Sequence, residues 1–170
     1  VEFAKEAVHK LKQEGDQTGR QKEMLRNVIS TVEDHNKAYG MAEQDEEGLR
    51  RGFLALAYAH AGLLVYSGDD PHEHEMPLIE ITKSEYADVE AKTVATNALQ
   101  RYVRKQRAIK DAEVAARSAG LLSNGEETEK HEKILKGFIR QYGQFDDEPE
   151  CLHVAGISYA SLLDHSKSDT

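Results

Sequence analysis

Apolar residues recur at helical spacing along almost the whole chain, and no segment shows convincing strand alternation. Phe3, Ala4, Ala7, Val8 and Leu11 fall on one stripe and predict a first helix over 2–13, interrupted by Gly15 and Gly19. Leu25, Val28, Ile29, Val32 and Tyr39 predict a second over 20–39, with Gly40 placed as its C-terminal cap. The next segment differs in kind. From Phe53 to Tyr66 nothing is charged unless His60 is protonated, and apolar side chains point to every side. A helix apolar all round is a buried helix, and this run is shorter than the about 20 residues that cross a bilayer. It predicts a central helix over 43–66, ended by Gly68 and paired with the second helix as an antiparallel hairpin.

The segment 69–81 holds Pro71 and Pro77 and reads as an exposed loop. Thr82 and Glu85 then form a capping box, with Ile81 and Tyr86 as a hydrophobic staple. They predict a long helix over 83–119, its apolar positions Val89, Val94, Leu99, Tyr102, Val103, Ile109 and Val114, and Gly120 its stop. At 1.5 Å per residue it runs about 55 Å, more than a domain of this size needs, so it projects, kinks or packs against a second copy. Ser123 and Glu126 predict the start of a fifth helix burying Ile134, Leu135, Phe138 and Ile139. Asp147, Pro149 and Glu150 predict a sixth, burying Leu152, Ala155, Tyr159, Leu162 and Leu163 and fraying after His165. The predicted fold class is all-α: a bundle of about six helices around 53–66. It forms a single domain over 1–170, and the absent initial methionine suggests a trimmed piece or one domain of a longer chain. No helical-repeat period of about 34 residues recurs.

Composition narrows the function classes. The 170 residues are 39% hydrophobic and 31% charged, with a formal net charge of −9, which argues against general phosphate-driven nucleic-acid binding. The single cysteine, Cys151, has no internal disulfide partner, which suggests a reducing compartment, the cytoplasm. No signal peptide or membrane span is visible.

Several residue sets invite chemistry. Asp69, Asp70, His72, Glu73, His74 and Glu75 concentrate possible metal ligands, but nearly adjacent ligands on a solvated loop make a poor site. Glu-x-x-His occurs at Glu6/His9 and Glu150/His153, each pair opposite the apolar stripe of its helix and so turned to water. Glu43/Glu46 and Glu85/Asp88 place four carboxylates on two helices, an arrangement that resembles the magnesium-binding pattern of all-α nucleoside-triphosphate pyrophosphatases. If those helices are antiparallel neighbours, their starts lie roughly 35 Å apart, and only a full crossover by 69–81 brings them together. Acids at helix starts also answer to the helix dipole alone. His60 reads as a neutral core histidine hydrogen-bonded inside, with a ligand or proton-relay role as the sharper alternative. Cys151 reads as a small packing residue. No catalytic residue, metal site or cofactor is assigned.

The basic run is harder to dismiss. Arg101, Arg104, Lys105, Arg107 and Lys110 crowd the middle of the long helix in an otherwise acidic chain, where no helix-end dipole accounts for them. They are the candidate partner-binding residues, suited to an acidic protein segment or a phosphate-bearing ligand. The expected function is a non-enzymatic interaction or scaffold domain. Its partner is a protein with an acidic surface or a second copy of the chain. The alternatives are a metal-dependent helical-bundle enzyme and a small-molecule sensor with a pocket beside His60 and Tyr58.

Overall fold

A computed structural model describes residues 1–14, 19–39, 45–125, 127–143 and 149–168. Among these the chain is all-helical, with no strand and seven helices: α1 (Glu2–Glu14), α2 (Arg20–Tyr39), α3 (Glu46–Tyr66), α4 (His72–Lys83), α5 (Val89–Ser123), α6 (Thr128–Tyr142) and α7 (Pro149–Ser168). None is long and apolar enough to cross a membrane. The chain divides into two compact units, Val1–Tyr102 and Val103–Thr170.

In the first unit α3 is the buried helix that its composition demands. Its start is set by Asp45, whose carboxylate accepts the Gly48 N–H at 2.5 Å. It ends where Ser67 caps the Leu63 carbonyl and Gly68 turns left-handed at φ +70°. Leu54, Ala57, Ala61, Leu64 and Val65 face Leu78 and Ile81 of α4 and the alanines 91, 95 and 98 of α5. Ala59 and Leu63 face Ala4, Ala7 and Leu11 of α1 and Leu25 of α2. At Gly62 side chains of α1 and α2 pack close against the α3 backbone. A Cβ there would stand 2.6 Å from Val8 Cγ2 and 2.9 Å from Leu25 Cδ1.

The largest departure from expectation lies at 69–88. The segment read as a loop is α4, and the long helix begins at Val89, not 83. Asp70 starts α4 by accepting the His72 N–H at 3.0 Å on its side chain. Pro77 sits inside the helix, giving no N–H to its ladder, at a cost the burial of His74, Leu78 and Ile81 offsets. Thr82 therefore caps nothing. Its hydroxyl donates to the Ile79 carbonyl in the last turn of α4, and Ser84 ends that helix in an extended conformation. The real N-cap of α5 is Asp88, which accepts the Ala91 N–H at 2.8 Å. Tyr86 stacks near Phe53, ring centroids 6.3 Å apart, rather than stapling to Ile81.

In the second unit the later part of α5 packs on α6 and α7 through Ala108, Ala112, Ala115, Ala119, Leu122, Leu135, Phe138, Cys151 and Ala155. The inward stripe of α5 is thus alanine, in both units, because small side chains allow close helix approach. Val89, Val103 and Val114, expected inside, are 82%, 62% and 51% exposed. The same inversion affects Phe3 on α1 and Leu152, Tyr159 and Leu163 on α7, all exposed, while Cys151, Ala155 and Ser158 are buried. Gly120 does not stop α5, which continues to Ser123, whose hydroxyl bonds back to the Ala119 carbonyl. α6 begins after Glu127, which has φ +40°, and α7 extends past His165 to Ser168. The expected caps at Gly40, Glu126 and Asp147 lie outside the described residues.

Replacing Gly62 by alanine sets a helix-propensity gain of about 0.5–1 kcal/mol against an overpacking cost of about 1–3 kcal/mol. The expected result is a net loss of about 1 kcal/mol in urea unfolding. At Gly120 the added Cβ meets open space, so alanine there is expected to stabilise by about 0.5–1 kcal/mol.

Candidate functional site

The most concentrated chemistry of the first unit is a buried chain of three side chains. His60 on α3 and His74 on α4 are each 4% exposed. Their Nδ1 atoms face each other at 3.1 Å, with ring centroids 5.4 Å apart. Asp69, in the turn between the helices, places Oδ2 3.8 Å from His74 Nε2. The same carboxylate pairs with Arg26 Nη2 at 2.7 Å and Lys22 Nζ at 3.3 Å, both on α2. His74 arrives because positions 74, 78 and 81 form one inward stripe of α4. His60 arrives because the C-terminal half of α3 is enclosed by its neighbours.

Hydrogen-bond logic sets the tautomers. Two facing Nδ1 atoms need one donor and one acceptor. A bare His74 Nε2 would turn its lone pair toward the Asp69 carboxylate, so His74 carries its proton on Nε2 and accepts at Nδ1. His60 is then the Nδ1–H donor. Both rings are neutral near pH 7. Burial, aided by His74, pulls His60 down from 6.5 to about 4. Burial also lowers His74, with Asp69 and Glu73 opposing it. Burial pushes the Asp69 carboxyl up, but Arg26 and Lys22 outweigh it and hold the group below its usual range.

Metal chemistry does not fit this chain of groups, because Asp69 lies at the edge of the His74 ring opposite Nδ1. Among the described residues no three His, Cys, Asp or Glu side chains are placed to hold a metal ion. The cluster at 69–75 is split by α4, which buries His74 and leaves His72 exposed. Glu6 is exposed and bonds Lys10, His9 and His153 are exposed, and Cys151 is buried. The side chain of Glu150 lies outside the description.

The four carboxylates fare differently. Glu43 lies outside the described residues. Glu46, Glu85 and Asp88 border one open cavity of about 590 Å³, together with Arg50 and Lys92. The full crossover that alone could bring the two helix starts together is made, and α4 makes it. Two of these acids have structural tasks, Asp88 capping α5 and Glu46 pairing with Arg50.

The basic run divides. Arg101 is half-buried and lays its guanidinium over the Tyr66 ring, 5.2 Å from the centroid. Arg104 is exposed and Lys105 half-buried, and both are engaged in interactions of their own. Arg107 and Lys110 are exposed. They share a face of α5 with Val103 and Val114, at spacings of four, three and four residues. This face lies opposite the buried Ala108, Ala112 and Ala115. Beside it, a cavity of about 260 Å³ is bordered by Arg107, Val114, Phe138, Gln141 and Tyr142. The Tyr142 hydroxyl donates to Asp111 Oδ2 at 2.6 Å, and burial, reinforced by that carboxylate, pushes its pKa up to about 12.

Comparison with known protein families, with characterised proteins and with solved structures finds no match to this chain.

The sequence singled out His60 but missed its partner. Pro77 masked the helix that carries His74. The available signal was the spacing of His74, Leu78 and Ile81, which is helical.

Asp69→Asn keeps the shape of the side chain and removes the charge that Arg26 and Lys22 share. It is expected to cost about 1–3 kcal/mol in chemical unfolding. The unfolded chain protonates His60 near 6.5, whereas the folded chain resists until about 4. The unfolded state therefore binds more protons in that window, so stability is full above it and falls as the pH drops through it. The loss attributable to His60 reaches roughly 3 kcal/mol. His60→Asn, which still donates at the Nδ1 position but does not titrate, is expected to flatten the unfolding free energy between pH 6.5 and 4.

Proposed function

We propose that the chain is a protein-docking module, without catalytic activity, and that the outer face of α5 over 103–114 receives an acidic amphipathic segment. The observation that carries this reading is the exposed stripe Val103–Arg107–Lys110–Val114. Two valines at 62% and 51% exposure contribute little to the core, yet they flank two cations on a chain of net charge −9. Apolar anchors beside charge are what a helix-in-groove partner reads. The adjoining cavity floored by Phe138 and Tyr142 is large enough for one partner side chain. An acidic surface can come from another protein or from a second copy of this acidic chain. A single buried cysteine fits a cytoplasmic setting. The sensor reading has less support, since the cavities at Glu46–Lys92 and Val1–Ala55 are not bordered by His60 or Tyr58.

The cavity shared by Glu46, Glu85 and Asp88 keeps a second reading alive, a magnesium-dependent enzyme. Stoichiometric Mn²⁺ binding by calorimetry, lost in Glu85→Gln, would place that reading first.

The docking reading is tested by fluorescence anisotropy with an amphipathic helical peptide of leucine and glutamate, and its lysine counterpart. Native mass spectrometry in parallel reports self-association. The glutamate peptide is expected to bind in a salt-dependent manner. The double variant Arg107→Glu/Lys110→Glu is expected to weaken it at least tenfold, about 1.4 kcal/mol. Equal binding of both peptides, or unchanged association in the variant, rejects the reading.

A further inference from the structure

We propose that Asp69, His74 and His60 form an acid-sensitive latch, which holds the first turns of α4 against α3 and releases them when the histidine pair takes up protons. The inference rests on how the three groups are placed. Two imidazoles in the core share one hydrogen bond at 3.1 Å. The ring of α4 is backed by a carboxylate that is itself tied to α2 at 2.7 and 3.3 Å. A hydrogen bond between α3 and α4 thus lies beside a carboxylate tied to α2, whose Oδ2 is 3.8 Å from His74 Nε2. The groups acting on the pair from the surrounding elements are Arg26 of α2, Asp69 of the turn and Glu73 of α4 itself, with Lys22 of α2 reaching Asp69.

Protonation has two stages, and the second breaks the latch. A first proton enters at His60 Nε2 while the bridging proton passes to His74 Nδ1, so the bond is kept and the charge rests on the ring beside Asp69, a carboxylate already shared by two cations. A second proton, taken up at His60 Nδ1, sets two N–H groups head to head, so the bond is lost. The apparent titration belongs to the pair rather than to either ring. Opening returns both rings to water, where each protonates at its ordinary value, so uptake of protons drives the opening.

The fold supplies the place to bend. Pro77 gives no N–H to the ladder of α4, so the link from its first turns to the rest is already weakened there. Beyond Pro77, Leu78 and Ile81 are 0% and 3% exposed and anchor the remainder of the helix on α3. Before Pro77 the only buried side chain of α4 is His74. The first turns are therefore held chiefly by the imidazole pair, whose bond full protonation removes, and the later ones by apolar contacts that acid leaves alone.

Nuclear magnetic resonance of the whole chain tests this in one titration from pH 7.5 to 4. Ring-nitrogen shifts are expected to show His60 as the Nδ1–H tautomer and His74 as the Nε2–H tautomer at neutral pH. After correction for intrinsic exchange rates, the amides of residues 73–76 are expected to lose protection at least tenfold by pH 4.5. The amides of residues 131–142 in α6 serve as the internal reference and should hold. In His60→Asn the amides of 73–76 are expected to stay protected throughout. The proposal is overturned if both rings titrate near 6.5 while α4 stays protected. It is equally overturned if α4 and α6 lose protection together, which is general acid unfolding, or if His60→Asn opens like the wild type. Should that variant not fold, the wild-type titration decides alone.

Discussion

Burying the C-terminal half of α3 from all sides is the constraint from which the first unit follows. A helix with no polar face must be enclosed, and α1, α2, α4 and the start of α5 each give it one apolar stripe. Close enclosure requires small residues at the crossings. Gly62 admits Val8 and Leu25 nearly to the backbone, and the alanines of α1 and α5 do the same elsewhere. His60 lies inside this enclosure, and a buried polar group needs a partner. His74 meets that need only if residues 72–83 form a helix with His74 turned inward. The departure from a simple bundle is thus tied to one polar residue in an apolar helix.

The two kinds of positive charge in the chain have separate roles. Arg26 and Lys22 are spent on Asp69 within the first unit, and Arg101 lies over an aromatic ring. Arg107 and Lys110 stand on a face with exposed valines, where Arg107 pairs with Asp111 at 3.9 Å and the apolar surface does not serve the core. Exposed charge of this kind contributes little to stability and more to the rate and choice of encounter with a partner. The docking reading and the latch therefore draw on different residues, and each stands without the other.

Much of the fold was legible. The buried character of 53–66, the first helix to within one residue, the second helix at 20–39, the stop at Gly68 and the existence of one long helix all come from short-range periodicity and end signals. The errors of burial share one cause. Where a helix offered both large apolar residues and alanines, size suggested that valine, leucine and tyrosine lay inside, as at Val103, Val114 and Tyr159. In closely packed helices the alanines occupy the contact and the larger residues remain outside. Thr82 and Glu85 matched a capping box because the motif is local. Whether a threonine caps a helix or bonds back to its own ladder depends on where the previous helix ends.

By itself the sequence determined the class of structure: helices throughout, one of them buried, an acidic surface with a basic exception, and His60 inside. These properties reside in neighbouring residues and need no knowledge of distant ones. Only the tertiary structure decided which alanine stripe faces inward and that 72–83 is a helix despite Pro77. It alone brought His60, His74 and Asp69 into one chain of contacts with Arg26 and Lys22. Helix propensity and periodicity act over about four residues. The energy that overrides a proline, or selects one side of a helix as core, comes from surfaces that meet only when the chain has folded.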